Sequence, residues 1–182
     1  MSAAAAPVTV RRVAVDEAAA RAEPLAQVLA DVLIDCVEGG ASVSFMLPLS
    51  RDKALDFWRG VLAGAARKER VLLVAETAAG RIIGTVQLIT ALPDNQPHRA
   101  DVAKMLVHRD ARRQGVAALL MAAVDQAARE EGKQVLVLDT VTGGDAERLY
   151  QRAGWISAGS VPNYALMPDG AYCATTFFYK QL

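Results

Sequence analysis

The order of apolar and polar positions changes period several times along the chain, and each change marks an element. Val8, Val10, Val13 and Val15 are β-branched positions around Arg11 and Arg12, which predicts a first strand. The period then becomes helical. Leu25, Val28, Leu29, Val32, Leu33 and Cys36 fall on one face, with Pro24 suited to the first turn and Gly39-Gly40 supplying a stop. From Gly39 to Leu49 the run GGASVSFMLPL carries no charge, yet its glycines, serines and proline cannot propagate a helix, so an ordered loop packed against something is expected. Ser50 to Lys53 opens a second amphipathic helix, with Leu55, Trp58, Val61, Leu62 and Ala65 on its apolar side.

Two strands come next, Val71–Glu76 and Arg81–Thr90, joined at Ala78-Ala79-Gly80 and read as antiparallel. Beyond a proline-containing connection, Arg99–Val107 reads as a strand and His108–Gln114 as a polar loop. A strong helix follows, striped by Val116, Leu119, Leu120, Ala123, Val124, Ala127 and Ala128 and ended by Gly132. Val135–Asp139 is a strand, Asp145–Ala153 a short helix, and Gly154–Ser160 and Thr175–Lys180 are the last two strands. The succession strand, helix, strand, helix favours an α/β sheet with at least one parallel pair.

The length of 182 residues suits one domain, expected over 8–182 behind a short disordered lead at 1–7. Twenty basic side chains balance twenty acidic ones, so no net positive field draws nucleic acid or anionic lipid. Charges or turn residues interrupt every apolar stretch before the roughly 20 residues of a membrane span. Cys36 and Cys173 have neither a CxxC partner nor metal-ligand spacing, which fits buried free thiols in a reducing cytoplasm and no metal. His98 and His108 are isolated, and Trp58 and Trp155 read as core.

The segment with chemical content is D-V-A-K-M-L-V-H-R-D-A-R-R-Q-G-V-A, from Asp101 to Ala117. A strand entering a basic, glycine-containing turn and then a helix presents unpaired backbone N–H groups where the helix dipole favours anions. Gly115 permits close approach, Ala117 keeps the first turn uncrowded, and Arg109, Arg112 and Arg113 bring positive charge. Such a turn can equally do no more than close a strand–helix connection. No G-x-x-x-x-G-K-[ST] or G-x-G-x-x-G motif occurs, which removes the two common nucleotide-binding classes.

Arg112-x-x-Gly115-x-Ala117 matches the [QR]-x-x-G-x-[GA] signature of the GNAT N-acetyltransferases, and A-E-R-L-Y-Q-R-A-G-W resembles that family's last helix. GGASVSFM at 39–46, LDT at 138–140 and V-P-N-Y-A-x-x-P-D-G at 161–170 resemble the tabtoxin resistance acetyltransferases and their relatives. The resemblance implies a mixed, mostly antiparallel sheet of six to seven strands, with one parallel pair splayed at an acetyl-CoA site and helices on both faces. It implies acetyl transfer from acetyl-CoA to the amine of a small, amino acid-like metabolite or toxin, by a monomer or homodimer without nucleic-acid or membrane partners.

In such an enzyme Arg112, Arg113, Gln114, Gly115, Val116 and Ala117 would bind the pyrophosphate, and Met105, Leu106 and Val107 would hold the pantetheine arm and polarise the thioester carbonyl. Tyr150 takes the family's place for the acid that protonates the leaving thiolate; the plainer reading is a helical tyrosine facing the core. For the base, Asp139 at a strand end and Asp101, 14 positions before Gly115, both qualify, and water is a third route. Either carboxylate can instead be a turn cap or a solvated charge. The two loops 39–46 and 161–170 would wall the acceptor site, with Ser42, Ser44, Phe45, Asn163 and Tyr164 as contacts. A peptide N-acetyltransferase and a non-catalytic acyl-CoA sensor are the alternatives.

Overall fold

The computed structural model describes Val8–Leu182; the lead expected at 1–7 lies outside the described residues. Strand β1 (Val8–Arg12) is followed by helices α1 (Val15–Ala20), α2 (Ala22–Glu38) and α3 (Arg51–Ala66). Strands β2 (Arg70–Thr77), β3 (Ile82–Ile89) and β4 (Arg99–Val107) lead to α4 (Val116–Glu130), β5 (Val135–Val141), α5 (Asp145–Arg152), β6 (Ile156–Leu166) and β7 (Tyr172–Gln181). They form one seven-stranded sheet in the order β1-β2-β3-β4-β5-β7-β6, and β4–β5 is its parallel pair. This is the mixed, mostly antiparallel α/β architecture that the family resemblance implied.

The period-two alternation of β2 feeds two cores. Leu72 and Val74 face α1–α3, where Leu29, Leu33, Trp58 and Leu62 pack, while Val71, Leu73 and Ala75 face α4 and α5, with Val116, Leu120, Val124, Leu136, Tyr150 and Phe178. Ser50 caps α3 by accepting the Lys53 amide at 3.2 Å. Gly84 on β3 lets α4 close on the sheet, because a Cβ there would stand 2.9 Å from the Leu106 carbonyl and 3.2 Å from Leu120.

Two segments depart from the sequence reading. Val15 opens α1 instead of ending the first strand: Asp16 and Glu17 sit in the helix's first turn, where its dipole favours them. The stretch 161–166 is strand and not loop, paired through Ala165 with Cys173 and Leu166 with Tyr172. Pro162 and Asn163 look like breakers, but β6 is the sheet edge, where a missing donor interrupts no further ladder and a bulge is tolerated. The register shifts there, with Asn163 at φ 52°.

Strand β4 carries two irregularities. Thr85 pairs with Leu106 and Gln87 with Ala103, two steps on β3 against three on β4, so β4 carries one extra residue. Lys104 occupies that bulge at φ 51°. Consequently Val102 belongs to the core beneath α4, whereas Leu106, four residues on, belongs to the core beneath α2 and α3. The second irregularity is on the other side: β4 and β5 pair only at Arg99/Val135, Ala100/Leu136 and Asp101/Val137, and then separate.

Candidate active site

Beyond Asp101 the separating strands open a cleft of about 230 Å³, lined by Asp101, Val102, Ala103, Val137, Leu138, Asp139 and Phe177. Val102 and Leu138 belong to the core on the α4 side; by strand alternation their neighbours face the α2–α3 side. The split therefore joins the two faces of the sheet. Beyond the Asp101/Val137 pair, the β5-facing side of β4 as far as Val107, including Met105 and Leu106, has no strand partner among the described residues.

At one mouth lies the turn into α4. A one-turn 3-10 helix, Arg109–Ala111, is followed by exposed Arg112, Arg113, Gln114 and Gly115. Gly115 caps α4 at φ 80°, a left-handed conformation that glycine takes without penalty. The first bond entering the helix is Leu119 N–H to the Gly115 carbonyl at 3.1 Å. Among the described residues, the amides of Arg113 through Ala118, including Val116 and Ala117, thus have no backbone acceptor. Six consecutive donors at a helix N-terminus without an acidic side chain fit a pyrophosphate.

The arginines near this turn divide their work. Arg109 is committed elsewhere, its Nε and amide both donating to Asp35 of α2 at 2.8 Å. Burial pushes the Asp35 carboxyl up, but these two bonds outweigh it and hold the group below its ordinary range. Arg112 donates to the Val107 carbonyl at 3.2 Å, which also accepts from the Cys36 thiol at 3.4 Å. Gln114 braces the turn through the Asp110 carbonyl at 2.9 Å.

The titratable groups of the cleft differ in company. Asp101 is ion-paired with Arg99. Asp139 has no ion-pair partner among the described residues; partial burial raises its pKa, Lys104 opposes the shift, and Asp101 adds to it. Tyr150 lines the core and not the cleft wall, only 6% exposed, with its ring centroid 6.1 Å from Trp155 and 6.2 Å from Phe178. Burial, and then the charge of Asp139, raise its pKa, so the phenol is protonated at neutral pH.

The other wall is assembled across the chain. Ser42 donates its hydroxyl to the Leu166 carbonyl at 2.9 Å, and the Leu47 amide donates to the Pro168 carbonyl at 3.0 Å. The loop 39–49 and the β6–β7 hairpin therefore meet, and much of the second segment, expected as a loop, is strand. Phe45 is buried against Phe57 at 5.2 Å, which in turn meets Trp58 at 5.1 Å. Tyr164 is exposed and packs edge-on against Phe177 at 5.5 Å; Asn163 is exposed on the sheet edge. Ser44 accepts from Lys104 Nζ at 2.9 Å.

Lys104 is the residue that sequence reasoning missed. Its place in D-V-A-K-M-L-V looks like one more polar strand position, and no local pattern announces the bulge that turns it toward Ser44 and Phe57. Among the described residues, no group of three or more His, Cys, Asp or Glu side chains is placed to hold a metal ion, and no helix is long and apolar enough to cross a membrane.

Residues 68–157 match the model of the acetyltransferase (GNAT) domain. An uncharacterized N-acetyltransferase from the hisH–hisA intergenic region of Azospirillum brasilense is 34% identical over 113 residues, covering 61% of this chain. The match spans about 65% of that relative's length. An N-acetyltransferase from Staphylococcus aureus superposes with a TM-score of 0.75 at 16% identity, over 96% of this chain and 98% of that one. The structure of yncA from Salmonella typhimurium, solved with its cofactor acetyl-CoA, gives a TM-score of 0.73 at 19% identity over 97% and 94% of the two chains. The chain has the fold of the GNAT acetyltransferases.

Proposed function

We propose that this protein is an acetyl-CoA-dependent N-acetyltransferase acting on the amine of a small, amino acid-like molecule, by direct attack in a ternary complex. The carrying observation is the split between β4 and β5, a cleft that carries Asp101 and Asp139, together with the turn at the end of β4 whose six successive amides have no backbone acceptor among the described residues. A phosphate-bearing thioester and an amine could meet there from opposite faces.

In this reading Arg113 to Ala118 hold the pyrophosphate through backbone N–H groups, with Arg112 and Arg113 supplying charge. Main-chain N–H groups between Met105 and Val107 polarise the thioester carbonyl. Asp139 takes the proton from the attacking nitrogen; its raised pKa makes it a stronger base than an ordinary aspartate. As the C–S bond breaks, the thiolate takes the Tyr150 proton. Asp101, neutralised by Arg99, is the weaker candidate for the base. The loop carrying Ser42, Ser44 and Phe45 and the edge carrying Asn163 and Tyr164 enclose the acceptor. Free thiols at buried Cys36 and Cys173 accord with a reducing cytoplasm.

The test is thiol release from acetyl-CoA with a panel of amino acids, simple amines and peptides with free N-termini. The reading requires turnover on small amines well above the hydrolysis background. Acetyl-CoA binding without release on any amine would make the protein a sensor, and turnover confined to peptides would move the acceptor class.

A further inference from the structure

Lys104 brings a positive charge to a place where no carboxylate is close enough, among the described residues, to form an ion pair with it. The bulge at φ 51° points its side chain to the α2–α3 side, where Nζ donates to the neutral Ser44 hydroxyl at 2.9 Å and stands 5.8 Å from the Phe57 ring centroid. Among the described residues it forms no ion pair, although most of the arginines do, and Asp139 acts on it only at longer range. Ser44 is itself at φ 76°, so two strained residues meet to place one ammonium group. A half-buried cation held by a hydroxyl and an aromatic face, with donors to spare, is a site for an oxyanion.

We propose that Lys104 binds the carboxylate, or an equivalent oxyanion, of the acceptor, so that the acceptor is an amine carrying an acid group. This rests on the acetyltransferase reading and narrows it. Lys104 and Asp139 would then hold the two ends of one zwitterionic molecule: the acid on the lysine and the amine by the aspartate. Such a site discriminates against the carboxamide of the same amine, which leaves the ammonium unmatched. Lysine is a positioning and specificity residue here and takes no part in proton transfer.

The experiment compares L-amino acids with their carboxamides as matched acceptors, in the parent chain and in Lys104→Met. The parent should favour the acids in kcat/KM by on the order of 10–100-fold, the scale of a hydrogen-bonded charge contact, expressed mainly in KM. Lys104→Met should bring that ratio close to one, and retained acetyl-CoA affinity would show that the variant is folded. Ser44→Ala should reduce the ratio partially.

A second measurement does not depend on turnover. Reductive methylation of the full chain, followed by peptide mass analysis, reads how fast Lys104 reacts. L-amino acids should slow its modification severalfold, and carboxamides should not. Protection without turnover on any amine would uphold the lysine site and sink the enzyme reading. Turnover with equal rates on acids and amides, unchanged in Lys104→Met and without protection, would overturn the lysine site and leave the enzyme reading standing.

Discussion

The two faces of the sheet at the β4–β5 split are built from different materials. On the α4 side the binding elements we propose are backbone N–H groups, fixed by the start of one helix and by a single glycine at φ 80°. On the α2–α3 side they are side chains: Lys104, Asp139 and Ser44, brought together from a bulge in β4, the inside of β5 and a loop. A backbone site depends on local conformation and tolerates change around it. A side-chain site depends on the register of distant segments, and one residue inserted in β4 decides which groups it contains. The first suits a coenzyme shared by many proteins; the second is free to differ between them.

Predictions can press on each face in turn. The largest effect is expected at the buried phenol of Tyr150. Tyr150→Phe keeps the ring that packs on Trp155 and Phe178 but removes the proton, so turnover should fall by about 10²–10⁴-fold with coenzyme affinity little changed. Near-parental kcat would remove Tyr150 from the mechanism. Next is the backbone face. Gly115→Glu puts a side chain at a left-handed position and a negative charge among donors that await an anion, and acetyl-CoA affinity measured by calorimetry should drop by on the order of 100-fold or more. Unchanged affinity would move the coenzyme away from this turn.

The same contrast explains what could be read in the chain. Val102 to Ala117 was legible because strand, glycine turn and helix start are contiguous, and a backbone site needs little else. The apolar stripes of α2, α3 and α4 likewise announced the helix faces that pack on the sheet. The acceptor side was only half legible: its uncharged loop was visible, but not that Ser42 would bond Leu166 or that Ser44 would take Lys104 as a partner. The bulge at Lys104 has no local signature, since neither glycine nor proline marks it. Pro162 and Asn163 misled in the opposite sense, because breakers signal a loop unless the strand is known to lie at an edge. Arg109 reads in the sequence as one more positive charge at the turn, and only its neighbour in space, Asp35, shows that it clamps α2 to the turn.

The side-chain face makes a smaller, pH-dependent prediction for catalysis. If Asp139 receives the amine proton, Asp139→Asn should lower kcat/KM by about 10–100-fold near pH 6. The loss should shrink as rising pH deprotonates the free amine. The parent's acid limb should sit above the ordinary aspartate range, because burial and Asp101 raise the group more than Lys104 lowers it. Tyr150→Phe should show no such recovery. A profile for Asp139→Asn parallel to the parent's would pass the base to Asp101 or to water.

The smallest effect is on stability, and it tests whether the side-chain face is strained for function. Burial lowers the Lys104 pKa below its free value of 10.5, with Asp139 opposing the shift. Ser44, Phe57 and Asp139 are the groups that face it. For a group whose folded pKa is depressed, the unfolded chain binds more protons between the folded and unfolded values, so stability rises with pH across that window. The contribution is complete above the unfolded pKa and lost below the folded one, which places the neutral-pH protein on the unfavourable side. Lys104→Met removes the burdened ammonium and should melt higher than the parent at pH 7, with the gap closing as pH approaches 10.5. Asp139 gives the mirror case. Its raised pKa means that stability is fully present below the unfolded value of 3.8 and lost as pH rises through the folded value, so Asp139→Asn should also gain at pH 7, with its gap closing on acidification. Because each charge eases the other's burial, the double variant should gain by an amount different from the sum. A Lys104→Met melting temperature at or below the parent's across pH 7–10 would mean that the ammonium is already well satisfied inside the protein. The acceptor side would then have no unmet charge to offer a ligand.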